Sequence, residues 1–500
     1  AQFKRALELN AYDVLALFNV GRLHNDRAEY LQAKDDKSQQ MQIDAAVADG
    51  VAVPWKRNLT EDWKDAATLC AVDRGGQIMV PKPGVLGNII ACDFSGYYPS
   101  LIVHRNLSSD TINCDCCPDG PVVPELNYHI CTKRRGHQSG VLANIGWHRK
   151  WAKGIIKKAK NHEVDPLELA RAVAVKSEHK ALGVVCFGYF RYRNARFGCA
   201  EVHQAIQCFG RKGMTDARRV ANELGYDLVH AMTDCAFVQH ETRRDCTRAD
   251  AGKLARAISN RVGVQMDVEG VYKWVVFLPS KVHSKSDWAT VGVPNRYYGK
   301  FENDELKLRG IEMQRHSTSP WVYACQDKML AILKEADNPE EFLERIPRAL
   351  AVAKDHMKML LENRVPPEAL CTNIQVTREV EEYQASTKTR TALRRLRDGG
   401  KELHPGEYIQ YVVTREDGPK EGQVVPLELF GKENWFGIEA ISPSHAHYGL
   451  LLARSIETLF GSFGYQEEPV LAWLLGKSRS PLPVEAAGFP RRVELQWRRT

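Results

Sequence analysis

The 500-residue sequence lacks the features that mark several large classes of protein. No run of 18 apolar residues occurs, so we expect no membrane-spanning helix and no membrane partner. The first residues, AQFKRALELN, contain no charged stretch followed by an apolar one, which argues against a signal peptide. Internal repeats and low-complexity tracts are absent as well. The length and these absences together indicate several globular domains in the cytoplasm.

Basic residues are concentrated in two places, although the net charge of +7 is modest. Such a net charge permits a polyanionic partner without requiring one. Residues 126–162 contain nine Lys or Arg residues and no Asp or Glu. A solvated face explains one such cluster well, but two clusters favour a surface that follows a phosphate backbone. The second cluster comprises Arg390, Arg394, Arg395, Arg397 and Lys401.

Thirteen cysteines are present, and most are scattered without even spacing. Such scatter is typical of reduced thiols in a cytosolic protein. Four of the thirteen form a group: Cys114, Cys116, Cys117 and Cys131. Four thiolates can bind one zinc ion, but the C-x-C-C spacing is not that of a standard zinc knuckle. Zinc, a disulfide pair and unligated thiols are therefore all open for this group.

Two predicted strands, far apart in the sequence, each carry one acid. The buried-strand pattern of residues 88–94 includes Asp93, and residues 227–238 predict a β-hairpin with Asp234 near its tip. Phosphoryl transfer with two Mg²⁺ ions requires rigidly held carboxylates between ions about 3.5–4 Å apart. Most pairs of strand acids are surface residues, so the assignment depends on the motifs around them.

The segment that begins at Asp93, DFSGYYPS, closely resembles D-x-x-S-L-Y-P-S, the first polymerase motif of family B DNA polymerases. The resemblance makes Asp93 a metal-bridging acid and the carbonyl of Phe94 a further metal ligand. It places Ser95 among the residues that bind the nucleotide. Tyr98 takes the position of the aromatic residue under the sugar of the incoming nucleotide, where its ring excludes a 2′-hydroxyl group.

The sequence KALGVVCFGY, which begins at Lys180, resembles the second motif, K-x-x-x-N-S-x-Y-G. Val184 and Val185 stand where the family has Asn-Ser, and Phe187 replaces the tyrosine that contacts the nucleotide. Residues 192–198 continue the likeness. This variant is similar to the divergent second group of archaeal family B polymerases.

Four residues upstream match the family's fingers-helix pattern, L-x-x-L-L-x-x-R-x-x-x-K: Leu142, Ile145, Arg149 and Lys153. A helix presents Arg149 and Lys153 on one face because they are four residues apart. With Lys180 on a partner helix, the resemblance implies a clamp for the triphosphate. Lys180 is then the group that protonates the leaving pyrophosphate. Without the other motifs, a basic solvated helix would be the better explanation of this segment.

The third motif of the family is Y-x-D-T-D-S, and this chain has HAMTDC from His230. Asp234 keeps the second acid, whereas Met232 replaces the first. The second acid is the one that resembles a direct ligand, so the resemblance implies two Mg²⁺ ions held by Asp93 and Asp234. Mn²⁺ can substitute for them. The divergent archaeal group also tends to lack the first acid.

Residues 295–299, 307–312 and 318–320 resemble the family's junction between palm and thumb, which grips the primer–template duplex. Arg296 and Tyr297 are the candidates for contact with the DNA backbone. No D-x-E exonuclease motif precedes Asp93, so we expect a polymerase without its own proofreading domain.

The resemblance covers about residues 70–465 and implies an α+β fold of the right-hand polymerase type. The expected palm is an antiparallel sheet, the fingers are helical, and the thumb is mixed and mostly helical. The expected ranges are an N-terminal remnant or linker at 1–70, palm at 71–136 and 190–296, fingers at 137–189 and thumb at 297–500.

The implied function is template-directed addition of deoxynucleotides to a primer 3′ end. The implied partners are primer–template DNA and deoxynucleoside triphosphates. The expected location is the nucleoid. A sliding clamp and a separate exonuclease chain are further partners that the family allows. The alternative is a polymerase relic that binds primer–template or protein without chemistry. Met232, Val184 and Val185 favour the relic, and the enzyme is favoured by Asp93, Asp234, Arg149, Lys153 and Lys180.

Overall fold

The chain folds into two compact units, between which the polypeptide passes more than once. Unit 1 contains residues up to 78, 91–241 and 248–269, and unit 2 contains 79–90, 242–247 and the residues from 270 onwards. The computed structural model describes residues 39–48, 50, 53, 61, 63–159, 161–162, 164–192, 194–280, 291–414, 423–429 and 442–482. Most of the expected N-terminal remnant, residues 1–70, lies outside the described residues.

Helices and strands alternate irregularly along the chain, which confirms the α+β class. The helices are α1 (39–48), α2 (Ala66–Ala71), α3 (Tyr97–His104), α4 (His137–Lys158), α5 (Pro166–Tyr189), α6 (Ala200–Glu223), α7 (Arg248–Val262), α8 (Pro320–Lys334), α9 (Pro339–Leu361), α10 (Pro367–Leu370), α11 (Lys388–Asp398), α12 (His445–Phe460) and α13 (Glu467–Leu474). The strands are β1 (Ile78–Met79), β2 (Gly84–Phe94), β3 (Tyr226–Met232), β4 (Cys235–His240), β5 (Met266–Pro279), β6 (Gly292–Phe301), β7 (Leu306–Arg309), β8 (Thr372–Gln375), β9 (Tyr408–Val413) and β10 (Val424–Pro426).

The strands form two sheets. A seven-stranded sheet has the order β1-β3-β4-β2-β5-β6-β7, and a three-stranded sheet has the order β10-β9-β8. Within the larger sheet β3 and β4 form an antiparallel hairpin, with Met232 opposite Cys235 and Tyr226 opposite His240. The hairpin predicted over 227–238 is therefore confirmed. In the described part of the chain, no helix has the length and apolarity needed to cross a membrane.

Helix α6 is the central helix of unit 1, because most of its residues are buried on every side. It has two glycines where α3 approaches. A Cβ atom at Gly213 would lie 2.2 Å from the hydroxyl of Tyr97, and that hydroxyl donates a hydrogen bond to the carbonyl of Gly210 at 2.8 Å. The close approach fixes α3 against α6, directly after the acid-bearing end of β2.

Helices α4 and α5 pack against each other in unit 1. Val141, Leu142 and Ile145 give α4 its buried stripe, while Lys153 on the same helix is exposed. Helix α5 begins at Pro166, and the carboxylate of Asp165 accepts a hydrogen bond from a main-chain N–H of its first turn. The two helices occupy the range expected for the fingers, 137–189.

Unit 2 is built around a large core of aromatic and aliphatic side chains from β5, β6, α8, α9 and α12. The ring centroid of Phe342 lies 4.8 Å from that of Trp274 and 6.3 Å from that of Tyr298. The polar atoms of these aromatics are satisfied by main chain, since Trp274 donates to Ala336 at 3.0 Å and Tyr298 donates to Leu459 at 2.7 Å. The core is thus apolar without leaving these buried donors unpaired.

Replacing Phe342 by Ala removes a fully buried ring and leaves a cavity among the remaining aromatics. We expect the free energy of unfolding to fall by about 3–5 kcal/mol in a denaturant titration. Tyr323→Ala on α8 is the matched control, because Tyr323 is 45% exposed and its loss should change stability by less than about 0.5 kcal/mol. Equal effects of the two changes would contradict this account of the core.

Candidate active site

One main-chain hydrogen bond joins the two predicted acid-bearing strand ends. The N–H of Phe94, the last residue of β2, donates to the carbonyl of Asp234 at the tip of the β3–β4 hairpin, at 2.8 Å. Asp93 and Asp234 therefore stand on adjoining strand ends in unit 1. Asp93 is exposed, whereas Asp234 is partly buried, and burial raises the pKa of its carboxyl group.

The hairpin tip is tight and strained. Thr233 has φ of +54°, which is unusual for a β-branched residue, and the N–H of Asp234 donates to the carbonyl of Met232 at 2.6 Å. The N–H of Thr233 donates outward to the carbonyl of Gln77 at 2.9 Å, and this contact holds the tip in place. Strain of this kind persists only where the surroundings determine it, and it often marks a functional site.

An aromatic stack links α3 to α5 and α6. The ring centroids of Tyr98 and Phe187 lie 4.6 Å apart, and Phe187 stacks on His203 at 4.2 Å. Burial lowers the pKa of His203 to about 4, so the imidazole in this stack is neutral at pH 7. The Tyr98 hydroxyl lies near the hairpin tip, because a Cβ atom at Gly76 would be 3.1 Å from it and 2.8 Å from Oγ1 of Thr233. Burial and then the charge of Asp234 raise the pKa of Tyr98.

A cavity of about 550 Å³ adjoins the segment that follows Asp93. Its wall contains three cations from α4, namely Arg149, Lys150 and Lys153. The ammonium group of Lys153 lies 3.4 Å from the hydroxyl of Ser95. Among the described residues, the Nε atom of Arg149 is buried and has no hydrogen-bond partner. The cavity wall therefore offers positive charge and an unused donor, which suits an anionic ligand.

Lys180, the cation predicted on a partner helix of α4, lies on α5. Lys180, Val184 and Phe187 are spaced i, i+4 and i+7, so they follow one side of the helix. Lys180 is exposed, and Val184 is 68% exposed, a high value for an apolar side chain. Gly183 faces the ring of Pro99 on α3, at 3.3 Å from the position of a Cβ atom, so this part of α5 packs directly on α3.

The family model of DNA polymerase family B matches residues 32–439. The chain belongs to this family. The resemblance drawn from the motifs is confirmed.

The chain is also similar to individual archaeal proteins of the family. It is 26% identical over 401 residues to the DNA polymerase of Desulfurococcus sp. (strain Tok), which covers 79% of this chain and 48% of that protein. It is 24% identical over 363 residues to DNA polymerase 2 of Aeropyrum pernix, covering 72% of this chain and 42% of that protein. The chain spans about half the length of the curated relatives it matches.

The fold is similar to the structure of the family B DNA polymerase from Pyrobaculum calidifontis. The TM-score is 0.58 with 19% sequence identity, over 85% of this chain and 50% of that chain. The expected right-hand polymerase fold is thereby confirmed.

Two acids near this family B site escaped sequence reasoning. Asp267 lines the cavity, and Asp267 and Glu269 both lie exposed on β5. Burial raises the pKa of Cys92 to about 12, and the charges of Glu269, Asp93 and Asp267 add to the shift. The available signal was the alternation of acids in MDVE, which puts 267 and 269 on one face of a strand.

A buried arginine binds the segment that contacts the strained hairpin tip. The single Nε–H of Arg211 on α6 is shared between the two carboxylate oxygens of Glu125, at 3.1 and 3.2 Å, and Nη2 donates to the same carboxylate at 2.6 Å. Nη1 donates to the carbonyl of Gly75 at 2.7 Å. Gly75 precedes Gln77, whose carbonyl receives the Thr233 N–H. Sequence reasoning missed this contact because its partners are 86 and 136 residues away.

The predicted DNA contacts of the family B chain lie in unit 2. Arg296 donates to the carbonyl of Gly310 at 3.2 Å and to the hydroxyl of Thr458 at 3.3 Å. Tyr297 is 4% exposed, and the ammonium of Lys307 lies 5.9 Å from the centre of its ring. The role of both residues in binding DNA stays a prediction.

The basic cluster predicted at 390–401 is largely neutralised. Arg395 is buried and donates to the carbonyl of Val424, Arg397 pairs with Glu381, and Lys401 pairs with Glu428. Arg395 therefore takes no part in an open cationic surface, and acids offset the charges of Arg397 and Lys401.

Replacing Arg211 by Met should lower the free energy of unfolding by about 2 kcal/mol, because Glu125 and the Gly75 carbonyl lose charged hydrogen bonds. Denaturant titration measures the change. The matched control is Lys212→Met, one residue along α6, since Lys212 is half-exposed and, within the described part of the chain, forms an ion pair only with Asp216, at 2.7 Å. If Arg211→Met is no more costly than Lys212→Met, the support described here is absent.

Proposed function

We propose that this chain is the polymerising part of a template-directed DNA polymerase that adds deoxynucleotides to a primer 3′ end. The observation that carries the proposal is the Phe94–Asp234 hydrogen bond, which joins two acid-bearing strand ends next to a cationic cavity. One side of the site supplies oxygen ligands for cations, and the other supplies cations for phosphates. Nucleotidyl transfer needs both.

The donor set fits Mg²⁺. Asp93 and Asp234 offer carboxylates and Phe94 offers a main-chain carbonyl, and hard divalent cations prefer oxygen. A partly buried carboxylate such as Asp234 gains from a bound cation, since burial alone disfavours its charge. Two Mg²⁺ ions, or Mn²⁺ in their place, would stabilise the charge that develops on the transferred phosphoryl group.

The triphosphate is assigned to Arg149, Lys153 and Lys180. The first two lie one helical turn apart on α4 and contact the segment that follows Asp93, where a Cβ atom at Gly96 would be 3.2 Å from Nη1 of Arg149. The free Nε donor of Arg149 suits a phosphate oxygen. We assign to Lys180, exposed on α5, the transfer of a proton to the leaving pyrophosphate.

The sugar and base of the nucleotide are assigned to the surface around Tyr98. Its ring is held by Phe187, so it is a rigid wall that excludes a 2′-hydroxyl group. Val184 replaces a polar amide of the family with an exposed apolar group. We infer that contacts at this position are apolar.

The expected subdivision into palm, fingers and thumb, at the boundaries given above, belongs to the proposal. For the duplex, we assign the contact with DNA phosphates to Arg296. Tyr297 is buried, so we assign to it the support of β6, the strand that carries Arg296. The lack of a proofreading exonuclease, association with the nucleoid and the two further partners stay predictions, because the chain spans about half the length of its relatives.

The second candidate function is a polymerase relic that binds primer–template without chemistry. The observation in its favour is Met232, whose thioether is a poor ligand for Mg²⁺ at a position where the family has an acid. Primer extension by the unmutated chain with Mg²⁺ and with Mn²⁺ separates the two functions. Extension supports the enzyme, whereas DNA binding without extension in either metal supports the relic.

Asp93→Asn and Asp234→Asn should each lower the rate of primer extension at least about a thousandfold. Several kcal/mol of charge stabilisation depend on these ligands, and about 1.4 kcal/mol corresponds to tenfold in rate. Gel-shift affinity for primer–template should stay near the parental value. Asp227→Asn, an exposed acid at the other end of β3, is the control and should extend normally. Parental rates in Asp234→Asn would refute the assignment.

Tyr98→Val should lower the discrimination against ribonucleotides at least about tenfold, because the ring that collides with a 2′-hydroxyl group is gone. The measurement is the ratio of kcat/KM for a deoxynucleotide to that for the matching ribonucleotide. Tyr98→Phe keeps the ring and should keep the ratio. Unchanged discrimination in Tyr98→Val would show that another residue is the gate.

A further inference from the structure

The segment between α3 and α4, residues 105–136, folds without a helix or a named strand of its own. The described residues form two isolated bridges there, Ile112 with Ile130 and Val122 with His129. Three buried cysteines, Cys114, Cys117 and Cys131, pack against one another in this segment. Loops of this length without regular secondary structure are uncommon in compact domains and usually have a function.

The sulfur atoms in this segment are arranged around a common centre. The Sγ atom of Cys116 lies 3.5 Å from that of Cys114, 3.7 Å from that of Cys117 and 3.6 Å from that of Cys131. Cys117 and Cys131 are 3.7 Å apart, and all four ligand atoms lie within 4.8 Å of one another. A tetrahedron with zinc–sulfur bonds of about 2.3 Å has sulfur–sulfur edges of about 3.8 Å. The four Sγ–Sγ separations of 3.5–3.7 Å are close to the edges of such a tetrahedron.

We propose that Cys114, Cys116, Cys117 and Cys131 bind one structural zinc ion through four thiolates. Soft thiolate ligands in a tetrahedral array select zinc among the common divalent ions, and a site with four protein ligands is closed to substrate. A disulfide needs two sulfurs about 2.05 Å apart, whereas the Sγ separations in this group are 3.5–3.7 Å. An iron–sulfur cluster places its thiolates on separate iron atoms and therefore further apart.

A hydroxyl group contacts one of the sulfurs. Thr132 donates from its hydroxyl to the Sγ atom of Cys117 at 3.7 Å. Hydrogen bonds to sulfur of this kind are typical of the shell around a metal thiolate. The exposed cations at 133–135 offset the net negative charge of a four-thiolate zinc site.

The cluster is tied to the start of α4. The side-chain amide of Asn106 donates to the carbonyls of Cys131 at 3.1 Å and of Arg134 at 2.9 Å. Its oxygen accepts from the N–H of Gly136 at 2.8 Å, directly before α4 begins. A zinc ion would therefore fix the end of the helix that carries the cavity's cations.

Metal analysis of the purified, reduced chain tests the proposal. We expect about one zinc per chain, lost in Cys116→Ser/Cys131→Ser and retained in Cys70→Ser, an exposed cysteine outside the group. Removing the zinc from the unmutated chain with a chelator should lower Tm, and adding zinc back should restore it. Zinc content and Tm are independent of primer extension, so this proposal and the proposed function fail separately.

A second measurement uses the unmutated chain, so it tests the proposal even if the double variant does not fold. Co²⁺ substituted into the unmutated chain should give the intense visible absorption and the thiolate charge-transfer band of a tetrahedral four-sulfur site. A metal-free chain of unchanged Tm, iron in place of zinc, or a Cys117–Cys131 bridge found by alkylation and mass spectrometry would each overturn the proposal.

Discussion

The hydrogen bond from the N–H of Phe94 to the carbonyl of Asp234 is the constraint on which the candidate site depends. It joins segments that are 140 residues apart in the chain and makes two strand ends neighbours. The strained turn at Thr233 directs the hairpin tip towards this joint, and the Gly75–Gln77 segment holds the tip from the other side. Without the joint, Asp93 and Asp234 would be two unrelated surface acids.

The charges around the joint are separated in space. Asp93, Asp234 and the two acids of β5 supply negative charge at the strand ends, and α4 supplies positive charge across the cavity. In the proposed function, a cation and a triphosphate bind side by side, each next to groups of opposite charge. Position 232 has no acid and supplies no oxygen ligand, so in this proposal the binding of the ions depends more strongly on Asp93 and Asp234.

The local features of the site were predictable from sequence. The strand before Asp93, the hairpin around Asp234 and the helix with Arg149 and Lys153 each follow from short-range periodicity and from motifs. The long-range contacts were not, because nothing local connects Arg211 with Gly75 or β5 with the cavity. The cationic surface expected from the basic cluster at 390–401 depended on long-range contacts in the same way. Acids distant in sequence pair with Arg397 and Lys401, and Arg395 is buried.

We propose that the two joined strand ends bind divalent cations. Electron paramagnetic resonance of Mn²⁺, titrated into the chain with primer–template DNA and a deoxynucleoside triphosphate, tests this proposal most directly. We predict two tightly bound ions per chain with the spin coupling of neighbouring sites, and their loss in the Asp93→Asn/Asp234→Asn variant. Equal binding by the unmutated chain and this variant would contradict it.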